Sequence, residues 1–75
     1  MDKTIASFRK NTFEEIRIGI TEFMGDDLID LRVWTHKDGP WVRTTKGITI
    51  RPECFGDLKR LISEMEEFLN ERKDT

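Results

Sequence analysis

The chain holds 75 residues, 36% of them hydrophobic and 37% charged, with a net charge of −2. That length allows one domain with a small core, which is marginal for a lone chain unless a disulfide, a metal or self-association adds to it. The one Cys excludes an internal disulfide, and one Cys with one His excludes a zinc site built by one chain, so the expected staple is a second copy.

Apolar runs are only a few residues long, so no membrane span is expected. The start, MDKTIASFRKNT, shows no apolar stretch before a small-residue cleavage site, and a reduced, cytoplasmic protein is the expectation. Residues 1–13 are polar and partly basic, with Lys3, Arg9 and Lys10 and no clear period. They read as a flexible arm ahead of one domain over 14–75.

From Glu15 the pattern changes. Ile16, Ile18 and Ile20 alternate with Arg17, Gly19 and Thr21, which predicts a half-buried strand over about 15–23. Met24-Gly25-Asp26-Asp27 reads as a turn. Ile29, Leu31 and Val33 then oppose Asp30, Arg32 and Trp34 in a second strand over about 28–35. Asp38-Gly39 marks a hairpin loop, a short third strand covers 41–44 with Val42 inward, and Thr45-Lys46-Gly47 turns the chain into a fourth strand over 47–51.

Pro52 suits the first position of a helix and Glu53 its dipole. Phe55, Leu58, Ile62, Met65 and Leu69 recur at spacings of three and four, with Leu61 and Phe68 beside them, and predict a helix over about 52–72. The expected class is α+β: a four-stranded antiparallel meander followed by one long C-terminal helix, ββββα, with the helix covering one sheet face. The stripe Leu58, Leu61, Ile62, Met65, Phe68 and Leu69 has two uses, sealing the sheet or meeting a partner helix. The chain's small size favours the second, a helix-mediated homodimer.

Catalysis has little to build on. Cys54 and His36 are the only nucleophile–base pair that stands out, one at the helix start and one on a hairpin loop, and no third group orients them. Gly39 and Gly47 sit in strand links rather than a phosphate-binding strand-to-helix turn. No catalytic residue, metal ligand or cofactor is expected.

The outward sheet face says more. Parity puts Arg17 and Phe23 on the first strand, Arg32 and Trp34 on the second, and Trp41 and Arg43 on the third on one side. Aromatic rings stack on unpaired bases and guanidinium groups neutralise the phosphates between them. The acidic net charge is no obstacle, because it is divided. From Arg32 to Arg51 five cations stand against Asp38 alone, while from Glu53 to Arg72 six acids stand against three cations. Two readings of this face stand side by side: a stacking surface for single-stranded nucleic acid, DNA or RNA, or structural cover over the sheet. The same rings also suit a protein-interaction module.

Ile16-Arg17-Ile18-Gly19-Ile20-Thr21-Glu22-Phe23, Gly25, Leu28-Ile29-Asp30-Leu31-Arg32-Val33-Trp34, Lys46-Gly47-Ile48-Thr49-Ile50, Pro52-Glu53 and Leu58-Lys59, in that order, resemble the single-stranded-DNA-binding domain of the transcriptional coactivator positive cofactor four family. The likeness covers about residues 15–73. It implies a non-enzymatic homodimer joined through its helices, with paired sheets that hold single-stranded DNA and a link to the transcription machinery. It also implies DNA contacts at Phe23, Arg32 and Lys46, with Trp34 the candidate for a second-strand aromatic. Aligned without a gap, Thr35 falls at that last position. Met24 and Asp26 stand where lysines commonly flank the hairpin Gly, and Thr45 where a basic residue often precedes the turn Lys. No Ser-rich regulatory tail is present, which fits a short prokaryotic type acting in the cytoplasm and nucleoid, or in the nucleus of a eukaryotic source.

Overall fold

The structure, a computed structural model, describes residues 2–73. Four strands, β1 (Lys3–Asn11), β2 (Glu14–Phe23), β3 (Asp26–Thr35) and β4 (Val42–Ile50), form one antiparallel sheet in the order β1-β2-β3-β4. A 3-10 turn at Pro52–Cys54 leads into the helix α1 (Phe55–Lys73). The ββββα class is as expected; two of its strands are not where the sequence pattern put them.

The segment expected as a loose arm is β1. Its alternation is hidden because extra residues, Ile5 and Lys10, bulge out between Thr4 and Ala6 and between Arg9 and Asn11. Each bulge resets the parity. With both counted, Ala6 and Phe8 face with Ile18 and Ile16, and Ser7 and Arg9 face with Arg17 and Glu15. The link to β2 is tight without glycine: the Phe13 N–H donates to Asn11 Oδ1 at 3.0 Å, and Asn11 Nδ2 donates to Glu14 Oε1 at 2.8 Å, an Asx turn.

β2 and β3 pair without a break from Glu14 and Thr35 to Phe23 and Asp26. Their loop is Met24-Gly25, with φ of 53° and 85°, the left-handed pair that matches the twist of a two-residue hairpin. Two short strands were expected beyond residue 40; they are one, β4. The expected turn at Thr45-Lys46-Gly47 is a bulge, since Arg43 pairs with Trp34 and Gly47 with Arg32, so three residues of β4 span Val33 alone. Thr44 Oγ1 holds it, donating to the Val33 carbonyl at 2.6 Å and accepting the Lys46 N–H at 3.2 Å. Gly47 is obligatory there. Its φ is 151°, and a Cβ would overlap the Leu31 carbonyl oxygen.

The helix does not cover the sheet. From Phe55 to Arg72 every residue of α1 except Leu58 is exposed, and among the described residues no hydrophobic side chain is buried. Two apolar surfaces therefore lie open: the Ile16-Ile18-Leu31-Val33-Ile48 side of the sheet, and the α1 stripe, where Leu61, Ile62, Met65, Phe68 and Leu69 keep 46–58% of their surface. The strands hold together through backbone ladders, and no described helix is long and apolar enough to cross a membrane.

Candidate nucleic-acid interface

The sheet's other side carries the polar and aromatic residues, and register alone assembles most of them. Arg17 lies opposite Arg32, Glu15 opposite Trp34, and Trp34 opposite Arg43. Strand pairing thus sets one indole and three guanidinium groups side by side across β2, β3 and β4. Trp41, just before β4, joins them from the β3–β4 loop.

The rings and cations are stacked on one another rather than bare. The Arg17 guanidinium lies 4.3 Å from the Trp34 ring centroid and 5.7 Å from that of Trp41. Arg9 lies 5.1 Å from Trp41 on its other approach, and the His36 ring packs 4.2 Å from Trp41. Contacts of this kind contribute about 0.5–1 kcal/mol each at an exposed site. They also fix the side chains in place: Arg17 is further held by Glu15 Oε1 at 2.7 Å. Both indoles are half-buried.

Arg32 differs from its neighbours. Only 9% exposed, it donates from Nε to Asp30 Oδ1 at 2.9 Å and from Nη1 to the Thr44 carbonyl at 3.3 Å. Arg43 donates to the same Asp30 oxygen at 3.1 Å and stays open to solvent. Asp30, 8% exposed, thus anchors two strands at once. A buried carboxylate is tolerated only when paired in this way. Arg32 shares the predicted face, but as its internal brace.

Two predicted residues lie apart from the cluster. Phe23 shares its face but sits at the far end of β2, about 20 Å along the strand from Arg17. There it is 63% exposed beside Asp26 and Asp27. Lys46 sits in the β4 bulge, exposed and without an ion pair among the described residues. Its charge adds to the field around Glu14, whose carboxyl is held below the ordinary range first by Asn11 Nδ2 and also by Lys10. Arg9 and His36 were not foreseen. Arg9 was hidden by the bulge that masks β1; His36 is delivered by its N–H to the Phe13 carbonyl at 3.0 Å, which ties the β3–β4 loop to the first hairpin.

A shallow hollow of about 170 Å³ opens on this face between Arg17, Trp34 and Arg43, with Gly19 and Asp30 in its floor. Gly19 lies opposite Asp30, and its missing side chain lets the β1 backbone at Lys3 and Thr4 close in beside the depression. Nothing larger than hydrogen would fit, because a Cβ on Gly19 would overlap the Lys3 carbonyl oxygen. Asp2 closes the rim, accepting from Thr21 Oγ1 at 3.0 Å and from the Glu22 N–H at 3.1 Å. The backbone N–H first, then the hydroxyl, keep its carboxyl below the usual range. Among the described residues no group of His, Cys, Asp and Glu side chains could hold a metal ion. Cys54 lies exposed in the 3-10 turn, on another element from His36.

The model of the family Transcriptional Coactivator p15 (PC4) matches residues 10–61. A comparison with curated proteins finds no match. Among solved structures, the fold is similar to the crystal structure of a PC4 homolog from Burkholderia pseudomallei. In its tetragonal form the TM-score is 0.81 at 31% identity, covering 88% of this chain and 98% of that one. In the orthorhombic form the values are 0.80, 32%, 87% and 89%. With more than half of its residues matched by the family model and its fold shared with a PC4 homolog, the chain belongs to the PC4 family.

Proposed function

We propose that this protein is a non-enzymatic, homodimeric binder of single-stranded DNA that acts as a transcriptional coactivator of the PC4 kind, largely tolerant of sequence. The observation that carries the reading is the unbroken run Arg9, Trp41, Arg17, Trp34 and Arg43 across an open sheet face. The indoles and the Arg17 plane supply flat surfaces for unpaired bases, worth about 1–3 kcal/mol per stacked base. Arg9, Arg43 and Lys46 supply phosphate neutralisation with release of counterions. Phe23 extends the stacking surface at its far end. Arg32 sets the height and angle of the floor through Asp30. A regular duplex hides its base faces and gains only the phosphate contacts.

The dimer reading is supported by what the lone chain leaves open. A 75-residue chain with no buried hydrophobic residue among those described lacks the burial that offsets its chain entropy. Pairing of the α1 stripes, Leu58 to Leu69, supplies it without touching the polar face. A nucleoid location and contact with the transcription machinery accord with this reading.

Titrating the protein with a thymidine oligonucleotide while following Trp fluorescence, at two salt concentrations, tests it. Quenching that weakens as salt rises supports it, and no response at low salt refutes it. The alternative, a protein-interaction module, draws on the opposite end of the face. There Phe23 and Met24, 63% and 88% exposed, stand beside Glu22, Asp27 and the Asp26–Arg51 pair at 4.0 Å, a mixed setting that suits a polypeptide partner as well as a base. A matched RNA oligonucleotide in the same assay decides between the two sugars.

A further inference from the structure

We propose that the hollow beside Trp34 is a base-reading pocket that prefers guanine, so that one position of the bound strand is selected while its neighbours are not. The inference rests on the single-stranded-DNA reading above. It starts from size. About 170 Å³ slightly exceeds the cavity of about 150 Å³ that takes benzene, so the open hollow admits the six-membered-ring edge of a base while the rest of a purine stays outside. The space lies on the stacking face, with the Trp34 indole in its wall and a glycine in its floor. A base rotated out of the strand therefore reaches it without leaving the aromatic surface.

Selectivity comes from the lining. Both hydrogen bonds that Asp30 accepts fall on Oδ1, from Arg32 Nε and Arg43 Nη2. This leaves the Oδ2 edge of a carboxylate that is 8% exposed as an acceptor in the hollow it lines. Among the described residues, Asp2 is likewise engaged through Oδ1. Asp30 braces Arg32 and Arg43 and Asp2 ties the rim through one oxygen each, and the other oxygen of each suits a base edge that donates. Arg17 and Arg43 border the same space as donors. Guanine matches this set, with N1–H and the N2 amine to donate and O6 and N7 to accept. Thymine presents one N–H between two carbonyl oxygens, and either oxygen would face a carboxylate. Cytosine has an amine beside acceptors and comes second, in line with its known pairing with acidic side chains.

The test varies the ligand first, so folding of the protein is not at issue. Fluorescence anisotropy is measured with the full chain and a labelled thymidine oligonucleotide, and with counterparts carrying one central guanosine or one central inosine. Guanosine should bind about tenfold more tightly than thymidine, the effect of a hydrogen bond to a charged acceptor at a partly open site. Inosine, which lacks the N2 amine, should fall between them. Asp30→Asn, checked for folding by circular dichroism, should bring the guanosine and thymidine affinities together; their ratio is the readout, because the substitution also loosens Arg32 and Arg43. Equal affinity for the three strands overturns the pocket and leaves the single-strand reading standing, as does a folded D30N that still prefers guanosine. Failure to bind any of the strands at low salt overturns both.

Discussion

Trimming the apolar stripe of α1 should weaken the proposed dimer and, with it, the fold. Ile62 and Met65 lie three residues apart on the helix and keep 58% and 57% of their surface in the lone chain. Fully burying such a side chain contributes about 1.5–3 kcal/mol, so covering what remains open is worth about 1 kcal/mol or slightly more for each. In a symmetric pair each position occurs twice, and the double substitution Ile62→Ala/Met65→Ala therefore costs about 4 kcal/mol of association. At 1.4 kcal/mol per decade that is a several-hundredfold rise in the dimer dissociation constant. Sedimentation velocity over a range of micromolar concentrations should show the parent chain as a dimer and the variant as a monomer–dimer mixture. Because the lone chain buries no hydrophobic residue among those described, the thermal midpoint of both should rise with protein concentration, the variant's from a lower start. A parent chain that sediments as a folded monomer with a concentration-independent midpoint would refute the reasoning.

Four further outcomes are expected. Gly47→Ala places a Cβ against the Leu31 carbonyl oxygen and 2.8 Å from Arg32 Cα at a φ of 151°; strain and overlap together should lower stability by about 2–4 kcal/mol, read as a drop in the urea midpoint. Trp34→Ala should weaken single-strand binding by about 1–3 kcal/mol with its salt dependence unchanged, whereas Lys46→Ala should leave stacking intact and reduce the slope of log affinity against log salt by about one. Asp2 has a carboxyl held below its ordinary range by the Glu22 N–H and the Thr21 hydroxyl. Its bonds thus favour the folded state above the unfolded-chain pKa and are lost on protonation, as pH falls through about 4 and below. The protection of the Glu22 amide, the slowing of its exchange relative to that of the unfolded chain at the same pH, should therefore fall over that range in the parent chain, and Asp2→Asn should flatten the response.

Much of the fold and part of the site were legible before any coordinates. The isoleucines of β2 and the Ile-Leu-Val row of β3 keep strict alternation because their pairing has no bulge, so parity assigns Arg17, Phe23, Arg32 and Trp34 to one face directly. The helix was equally plain, since the three-four spacing from Phe55 to Leu69 depends on neighbours along the chain alone. Where a bulge intervenes, the period-two signal fails. That hid β1 and its Arg9, and split β4 at Thr45-Lys46-Gly47, where a pattern of polar residues with glycine imitates a turn.

Local periodicity, by itself, determined β2, β3 and α1, the existence of an apolar and a polar sheet face, and the shared face of Arg17 and Trp34. Tertiary pairing decided what each charged group is free to do. Asp30 takes up Arg32 and one edge of Arg43 across two strands, Glu15 takes up Arg17, and Trp41 gathers Arg9 from β1 and His36 from its own loop. The reason is physical: backbone geometry repeats every two or 3.6 residues and is written in order along the chain, whereas the partner of a side chain is set by register between strands that the chain order does not state.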